Sequence, residues 1–443
     1  MRKSAFVLTF LFTLAAYAQY PVILSQREQA RLIDDLLEDR IRNVLPELMR
    51  REGFDMWVII SSEYNEDPVI RTLLPATWFA ARRTTMLVIS DKGAGQELEC
   101  LAVSRYDVGK IFKRAWDPDT QPDQWAQLAR IITERNPKKI GINTSDYYGH
   151  ADGLTWSHQR KLINALPKNL QQRVTSAEKL AVAWLETRTE REMVIYRQIV
   201  RIAHDIIREG FSEKVIHPGI TTTDDVVWWY REKIKELKLD TWFQPSVSIQ
   251  RNEPEAILAR RPQPLVIMPG DLLHVDFGIT YLRLNTDTQQ HAYVLRPGET
   301  DAPDYLKKAL ATGNELQDIL TGNFKVGKTG NQILAESRKQ AIERGITPSI
   351  YTHPIGFHGH AAGTTIGMWD MQGGVPYTGD YPLHYRTAYS IELNCTVHIP
   401  EWKKDIRIQL EEDGYFDEQG FRYIDGRQRE LILIGSSAGV NRD

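Results

Sequence analysis

The chain has 443 residues, which suggests two or three domains, and its formal net charge is −3. Hydrophobic residues make up 42% of it, a fraction typical of a globular protein with a sizeable core. Charges of both signs are scattered along the chain, so the composition excludes the basic excess of a nucleic-acid-binding protein. We therefore expect no nucleic-acid partner.

The N-terminus is typical of a secretory signal peptide, which we assign to residues 1–18. Arg2 and Lys3 precede an apolar run, and Ala16-Tyr17-Ala18 gives the small-x-small pattern of a cleavage site. A buried first strand or helix is the alternative. The run is too short for a good transmembrane span, and no later stretch is apolar enough to form one. We expect an exported protein, periplasmic or secreted, with no membrane span after cleavage.

Helical and strand-like patterns alternate between residues 19 and 184. Helical spacing of apolar residues covers residues 26–50 and the region near 125–135. Short apolar runs typical of buried strands lie at 56–60, 85–90, 98–103 and 139–142. This alternation predicts an α/β N-terminal domain. We place its end near residues 184–187, because Thr189 begins a long amphipathic helix.

The two cysteines, Cys100 and Cys395, are far apart in the sequence, and neither has a CxxC neighbour. This spacing does not form a disulfide framework or a structural zinc site. We expect two buried, unpaired thiols, with a single disulfide as the alternative.

The second half has the pattern of a diverged internal duplication. One unit begins at Pro218-Gly219-Ile220-Thr221 and the other at Val326-Gly327-Lys328-Thr329-Gly330. In each unit a predicted helix follows, and then a hairpin that carries acidic residues. Thr222 and Asp225 have the spacing of a capping box at the start of the first helix. Twofold internal symmetry would bring the two hairpins together around one centre.

The first predicted hairpin carries two aspartates. A turn between Tyr281 and Leu282 would set Asp276 directly opposite Asp287. Opposed side chains lie about 5 Å apart across a strand pair, and like charges at that distance destabilise the sheet. Asp276 also follows an apolar strand, where a lone acid is costly, whereas Asp287 taken singly also fits a turn.

The second predicted hairpin carries two glutamates. A turn at Glu401-Trp402 would set Glu392 opposite Glu411. Glu392 lies inside an apolar strand, whereas Glu411 taken singly also fits a surface run of acids. Two divalent cations would turn the repulsion within both acidic pairs into attraction, since two-metal hydrolases hold their ions roughly 3.5–4 Å apart.

A histidine cluster, His353, His358 and His360, lies between the two predicted hairpins. One imidazole and four carboxylates form a mixed nitrogen and oxygen ligand set, which suits Mn, Co or Zn better than Cu(I). Two such ions can hold a water between them and lower its pKa toward neutrality. The sequence therefore predicts two divalent metal ions, with manganese as our first expectation and cobalt or zinc as alternatives.

These residues resemble the M24 family of "pita-bread" metallopeptidases, which includes methionine aminopeptidase, aminopeptidase P and prolidase. That family carries Asp, Asp, His, Glu and Glu in this order. The matching segments are Val275-Asp276-Phe277-Gly278, Thr286-Asp287-Thr288, His353-Pro354-Ile355-Gly356 and Glu411-Glu412-Asp413. The resemblance covers residues 185–443, and residues 19–184 resemble the creatinase-type N-terminal domain of aminopeptidase P and prolidase. The expected fold is an α/β N-terminal domain plus an α+β pita-bread catalytic domain.

The resemblance implies five metal ligands. Asp276 would bind one ion, and His353 and Glu392 would bind the other. Asp287 and Glu411 would bridge both ions.

The resemblance also implies two catalytic residues. Glu392 would move a proton as general base. His360 follows the metal-binding histidine by seven positions and would donate a hydrogen bond to the tetrahedral intermediate. His358 and His274 are candidates for partners that orient the ligands, with packing or turn roles as the alternative.

Three positions depart from the family pattern. Gln409 stands two residues before Glu411, where the family often has arginine, and Arg407 stands four residues before it. Thr288-Gln289-Gln290 follows the second aspartate in place of Thr-Arg-Thr. Residues 246–251 contain no histidine, although proline-specific members usually have one upstream of the first aspartate.

The sequence thus predicts an exported Xaa-Pro aminopeptidase that acts on short proline-containing peptides and forms a homodimer, as the family suggests. One alternative is an Xaa-Pro dipeptidase of the prolidase type, for which Arg407 is a candidate partner of the substrate carboxylate. Another is a non-catalytic, creatinase-like binding protein built on the same fold. Relatives of that kind lose metal ligands, so the presence of all five candidate ligands here argues against it.

Overall fold

The computed structural model of the protein describes residues 20–435. The predicted signal peptide, residues 1–18, lies outside the described residues. Among residues 20–435, no helix is both long and apolar enough to cross a membrane.

The first half contains seven α-helices and six strands among its described residues. In chain order these are α1 (Gln26–Asn43), α2 (Leu45–Arg51), β1 (Met56–Ser62), α3 (Pro68–Leu73), β2 (Thr84–Ser90), β3 (Glu99–Ala102), β4 (Lys113–Arg114), α4 (Gln124–Arg135), β5 (Ile140–Ile142), α5 (Trp156–Ala165), α6 (Lys168–Gln171), β6 (Val174–Ser176) and α7 (Glu178–Glu186). A short 3₁₀ helix at Gly149–Ala151 precedes α5.

The six strands form one mixed sheet in the order β4-β3-β2-β1-β5-β6. β1 pairs antiparallel with β2 and parallel with β5. Side chains alternate across β1, so Trp57 and Ile59 pack with helices α1, α2, α3 and α7, whereas Val58 and Ile60 pack with α4 and α5. Helices cover both faces of the sheet, as the predicted α/β alternation requires.

The second half contains five α-helices and thirteen strands among its described residues. These are α8 (Glu190–Gly210), α9 (Thr223–Glu236), β7 (Ser246–Gln250), α10 (Glu255–Leu258), β8 (Leu272–Phe277), β9 (Thr280–Tyr281), β10 (Leu284–Asn285), β11 (Thr288–Val294), α11 (Asp304–Gly322), α12 (Gly330–Glu343), β12 (Thr347–Ile350), β13 (His353–Pro354), β14 (Thr387–Ser390), β15 (Leu393–Ile399), β16 (Lys404–Leu410), β17 (Asp413–Asp417), β18 (Gly420–Tyr423) and β19 (Ile432–Ile434).

Two similar units recur within this half. Helices α8 and α9 precede the antiparallel strands β7, β8 and β11, and helices α11 and α12 precede the antiparallel strands β12, β15 and β16. A capping box starts the second helix of each unit, formed by Thr222 with Asp225 and by Thr329 with Gln332. The predicted duplication is therefore present in the order of elements as well as in the sequence.

The register of the first acidic hairpin differs from the prediction. The chain turns between Leu282 and Arg283, one residue later than predicted, so Asp276 pairs with Gln289 and not with Asp287. Because the turn lies one residue later, the partner of each strand residue is two positions later than predicted. Because side chains alternate with a period of two, Asp276 and Asp287 still lie on the same face of the hairpin.

The reason for this difference lies in the turn itself. Leu282 and Arg283 both have positive φ, 54° and 65°, as the central residues of a type I′ turn require. Such turns normally contain Asn, Asp or Gly, and none of these residues marks the position of this turn. Packing compensates for the backbone strain, because Leu282 is buried and the Arg283 guanidinium donates to the carbonyls of Leu74 and Pro75.

The register of the second acidic hairpin is as predicted. β15 and β16 pair from Ile399 with Lys404 to Leu393 with Leu410, so the turn is centred on Glu401-Trp402. The Ile391 amide donates to the Glu412 carbonyl (3.0 Å), which extends the same register past the strand ends. Glu392 therefore lies opposite Glu411.

The predicted cysteine chemistry is confirmed. Cys100 and Cys395 are both buried and free. Burial raises the pKa of each thiol to about 12, so neither is reactive as a thiolate at neutral pH.

Candidate metal centre

The five predicted ligands come from separate segments that converge on one point. Their positions are the end of β8 (Asp276), the residue before β11 (Asp287), β13 (His353), the residue before β15 (Glu392) and the residue after β16 (Glu411). The ends of both duplicated hairpins meet here, because Gln289 and Glu411 form a β-bridge between the two units.

The ligand atoms form overlapping groups within 4.8 Å of one another. One group is Asp276, Asp287 and Glu411, and a second is His353, Glu392 and Glu411. Glu411 belongs to both, which is the arrangement expected of a bridging carboxylate. A third group joins Asp287 and His353 to His360, the residue that we predicted to be catalytic. The fold brings all six predicted site residues together, and metal coordination by them stays a prediction.

Unpartnered polar atoms at this point fit bound cations. His353 Nδ1 donates to the Pro354 carbonyl (2.9 Å), which leaves Nε2 as the acceptor. This Nε2 is buried without a hydrogen-bond partner, 3.6 Å from Glu411 Oε1 and 3.8 Å from Asp287 Oδ2. One oxygen each of Asp276 and Asp287 is also buried without a partner. Buried polar atoms are rarely left unsatisfied, and this nitrogen and oxygen set suits Mn, Co or Zn.

The electrostatics of the centre favour cations. The pKa values of Asp276, Asp287 and Glu392 are raised well above their ordinary range. Burial is the largest cause, and the negative charge of Glu411 is the second. The same two causes raise the pKa of Asp413, whose carboxylate lies 3.4 Å from the Asp287 amide nitrogen. Crowded buried carboxylates resist ionisation together, and a divalent ion removes that resistance.

Three polar residues support the ligands. The side-chain amide of Gln289 donates to Glu392 Oε1 (3.0 Å) and to Glu411 Oε2 (2.7 Å), and Ser390 Oγ donates to Glu411 Oε1 (2.6 Å). His274 Nε2 lies 2.8 Å from Gln289 Oε1, so this histidine supports a residue that contacts the ligands. Sequence reasoning missed Gln289 as a site residue. Its spacing of two from Asp287, which puts both on one face, was the available signal.

The other acid of the last segment has a structural role. Glu412 accepts hydrogen bonds from Gln290 (2.8 Å), from the Gln428 amide (2.9 Å) and from His204 (2.7 Å). Although burial opposes it, the carboxylates of Glu412 and Asp425 raise the pKa of His204 to about 9. Glu412 therefore carries a cationic partner of its own, whereas Glu411 faces the ligand cluster.

His360 lies at the edge of the centre, against Trp242. The two rings make an edge-on contact with centroids 5.1 Å apart, and the Trp242 indole N–H donates to the Thr286 carbonyl (3.0 Å). Gly359 has no side chain, and a Cβ there would lie 2.2 Å from the indole. Burial, and next the neighbouring His353, lower the pKa of His360 to about 4, so at neutral pH its ring is uncharged and carries one N–H donor.

His358, which we considered as a ligand-orienting residue, is not placed for that role. Its ring lies 4.4 Å from that of His150, a residue of the first half, and its Nδ1 is buried without a partner. Burial lowers the pKa of His358 to about 3. It lines the approach to the centre and lies outside the three ligand groups.

A cavity of about 830 Å³ opens beside His360 and is walled by both halves of the chain. Its charged lining residues are three cations and one acid, namely Arg71, Lys238, Arg283 and Asp240. Arg407, the candidate partner of a substrate carboxylate in the dipeptidase alternative, is not among its lining residues and lies exposed on β16. The cationic groups beside the centre are thus different from the one expected.

Comparisons with known proteins agree with this geometry. A sequence model of metallopeptidase family M24 matches residues 195–416, half of the chain. The match spans both duplicated units and contains all five candidate ligands. No curated protein matches the chain by sequence.

Several solved structures share the fold over nearly the whole chain. The X-Pro aminopeptidase from Thermotoga maritima MSB8 aligns with a TM-score of 0.61 at 18% identity, covering 87% of this chain and 99% of that one. The Xaa-Pro dipeptidase from Bacillus anthracis aligns with a TM-score of 0.54 at 18% identity, covering 92% and 100%. The N-terminal domain of FACT complex subunit SPT16 from Eremothecium gossypii aligns with a TM-score of 0.55 at 13% identity, covering 92% and 98%.

At these identities the solved structures establish the fold, which is the predicted α/β domain followed by a pita-bread domain. The sequence match covers half of the chain and contains the ligand cluster. The chain belongs to metallopeptidase family M24.

Proposed function

We propose that the protein is an exported peptidase that uses two divalent metal ions to hydrolyse the Xaa-Pro bond of short peptides, in the manner of an aminopeptidase P. The observation that carries the proposal is the pair of ligand groups that share Glu411, together with the buried, unpartnered atoms of His353, Asp276 and Asp287 in these groups. When bound, two divalent cations would lower the pKa of water and polarise the scissile carbonyl. Manganese is our first choice, and cobalt or zinc would also fit the ligand set.

The protein's own residues would divide the remaining work. Glu392 has one oxygen held by Gln289, and it would take a proton from the attacking water and deliver it to the leaving nitrogen. His360, uncharged at neutral pH, would donate its N–H to the oxygen of the tetrahedral intermediate. The contact with Trp242 would hold the His360 ring in place during this step.

A second candidate function is that of an Xaa-Pro dipeptidase. The cavity beside His360 carries three cationic side chains against one acid, a balance that favours a substrate carboxylate. A dipeptide presents its carboxylate close to the scissile bond, whereas a longer peptide carries it further away. The charge of the cavity is thus the observation that favours the dipeptidase as a second candidate function.

Matched peptides test both activities. The full chain, loaded with Mn²⁺ or Co²⁺, would be assayed with an Xaa-Pro dipeptide, an Xaa-Pro-Xaa tripeptide and an Xaa-Ala-Xaa control. We expect cleavage of the tripeptide before proline, little cleavage of the alanine control and loss of activity with a chelator. Cleavage of the dipeptide alone would assign the dipeptidase. Failure to bind any divalent ion would overturn both and favour a non-catalytic protein of the same fold.

We also propose export and dimerisation. The charged and apolar pattern of residues 1–18 supports cleavage after Ala18, so the mature protein would begin at Gln19. N-terminal sequencing of protein recovered from outside the cytoplasm would reveal that residue, and recovery only of a chain beginning at Met1 would contradict the proposal. Light scattering during gel filtration would test the homodimer, whose expected mass is twice that of the mature chain.

A further inference from the structure

Gln289 occupies a special position in the centre. It lies on β11, only 4% exposed, directly opposite Asp276 and bridged through its backbone to Glu411. Its side chain extends from this fixed backbone to two candidate ligands, Glu392 and Glu411. Gln289 therefore contacts the carboxylate that both ligand groups share, Glu411, and also Glu392.

The orientation of the Gln289 amide follows from its partners. Carboxylate oxygens of Glu392 and Glu411 accept hydrogen bonds, so the amide nitrogen must face them at 3.0 and 2.7 Å. The amide oxygen then faces His274 Nε2 at 2.8 Å, which must carry the proton. Ser248 Oγ lies 3.3 Å from His274 Nδ1 and can donate to it. If the amide rotated so that its nitrogen and oxygen exchanged places, its hydrogen bonds to Glu392, Glu411 and His274 would all be lost.

This chain of contacts restricts the two glutamates. Gln289 holds Oε1 of Glu392 and Oε2 of Glu411, while Ser390 holds the other oxygen of Glu411. One amide thus fixes the separation of two carboxylates that would otherwise repel each other. Residues that orient metal ligands in this way typically contribute 10- to 100-fold to metal affinity.

We propose that Gln289 is a positioning residue that ties Glu392 to Glu411 and holds both ready for divalent ions, with His274 fixing its orientation from behind. The proposal rests on the proposed function, because it assumes that the two glutamates bind metal. It concerns a residue outside the five candidate ligands, and it predicts an effect on metal affinity that does not depend on turnover.

The test is the variant Gln289→Met, which keeps the length of the side chain and removes its donors. Titration calorimetry with Mn²⁺ on the full chain should show affinity reduced about 10- to 100-fold. Gln290→Met is the matched control, since that neighbouring amide donates to Glu412, and its Mn²⁺ affinity should stay within about threefold of wild type. Circular dichroism of the metal-free variants would verify that both are folded.

A double-mutant cycle separates positioning from a general structural effect. If Gln289 acts through Glu392, then Gln289→Met should weaken Mn²⁺ binding much less in a Glu392→Gln background than in the wild type. Additive losses, or wild-type affinity in Gln289→Met, would overturn the proposal and leave the proposed function intact. If wild-type protein bound no divalent ion, the proposed function would fail and this inference with it.

Discussion

The backbone of Gln289 exchanges hydrogen bonds with that of Glu411, N to O at 3.0 Å in one direction and 3.2 Å in the other. This single bridge connects the strand that follows the two aspartates with the strand that precedes the last glutamate. The separation of the two acidic pairs is therefore set by main-chain geometry, which is more rigid than a contact between side chains. Replacement of a ligand should accordingly change the chemistry of the centre more than its shape.

Replacing Asp276 with alanine should remove one metal ion. Asp276 belongs to one ligand group, whereas His353 and Glu392 belong to the other, so the variant should retain at most one ion and lose at least about 100-fold in kcat. Metal content after dialysis and peptide hydrolysis would be measured together. Asp405→Ala, on the exposed hairpin end, is the control and should keep both ions. Unchanged activity in Asp276→Ala would refute the assignment.

Replacing His360 with alanine should lower kcat and leave metal content unchanged. Loss of one donor to a developing oxyanion costs about 10²–10³ in rate. The third ligand group makes this test informative, because His360 lies within reach of Asp287 and His353. A variant that loses an ion as well as activity would reassign His360 as a ligand. His398→Ala removes an exposed histidine near the turn of the β15–β16 hairpin and should behave as wild type.

The turn at Arg283 predicts a difference between two substitutions. Both Arg283→Ala and Arg283→Gly lose the hydrogen bonds to the Leu74 and Pro75 carbonyls, which should cost about 1–3 kcal/mol of stability. A left-handed backbone costs a non-glycine residue about 1–2 kcal/mol. Against this, the flexibility of glycine in the unfolded chain costs roughly 0.5–1 kcal/mol. Urea unfolding should therefore find the glycine variant the more stable of the two, and the opposite order would argue against strain at this turn.

Glu186, the last residue of α7, should make stability depend on pH. It is buried, and burial raises its pKa to about 8 even though Tyr381 donates a hydrogen bond to it (3.0 Å). Because the folded-state pKa exceeds the ordinary value of 4.5, its stabilising contribution is complete below pH 4.5 and is lost as pH rises through 8.

The loss should amount to about 1.4 kcal/mol per pH unit between those two values. Glu186→Gln cannot ionise, so its free energy of unfolding should fall less than that of wild type between pH 5 and pH 9. Glu343→Gln, at an exposed helix position, should follow the wild-type curve. If the free energy of unfolding fell equally with pH in wild type and Glu186→Gln, the pKa of Glu186 would not be raised in the folded protein.

The two acidic hairpins show how far the sequence could predict this centre. The register of the Glu392 and Glu411 pair follows from strand alternation around Glu401-Trp402, and the structure has that register. The predicted register of Asp276 and Asp287 was wrong, because the hairpin has a left-handed turn without glycine that is stabilised by contacts from the other half of the chain. Such contacts are distant in sequence and leave no local pattern.

Gln289, which supports the candidate ligands, was missed for a related reason. In the segment Thr288-Gln289-Gln290, only the spacing of two from Asp287 distinguishes the amide that faces the centre from the one that faces Glu412. Asp276 and Glu392 could be singled out because an isolated acid in an apolar strand is costly and therefore informative. An amide carries no such penalty, so its role emerges only from its neighbours.

The hydrogen bonds of Arg283 to the Leu74 and Pro75 carbonyls have a consequence for how the protein could be divided. The aspartate hairpin belongs to the second half, yet its turn is completed by acceptors from the first. A fragment beginning near residue 187 would keep every candidate ligand and lose those two acceptors. The two halves therefore cannot be exchanged freely between relatives, because a foreign N-terminal domain would have to offer two carbonyls at the same place.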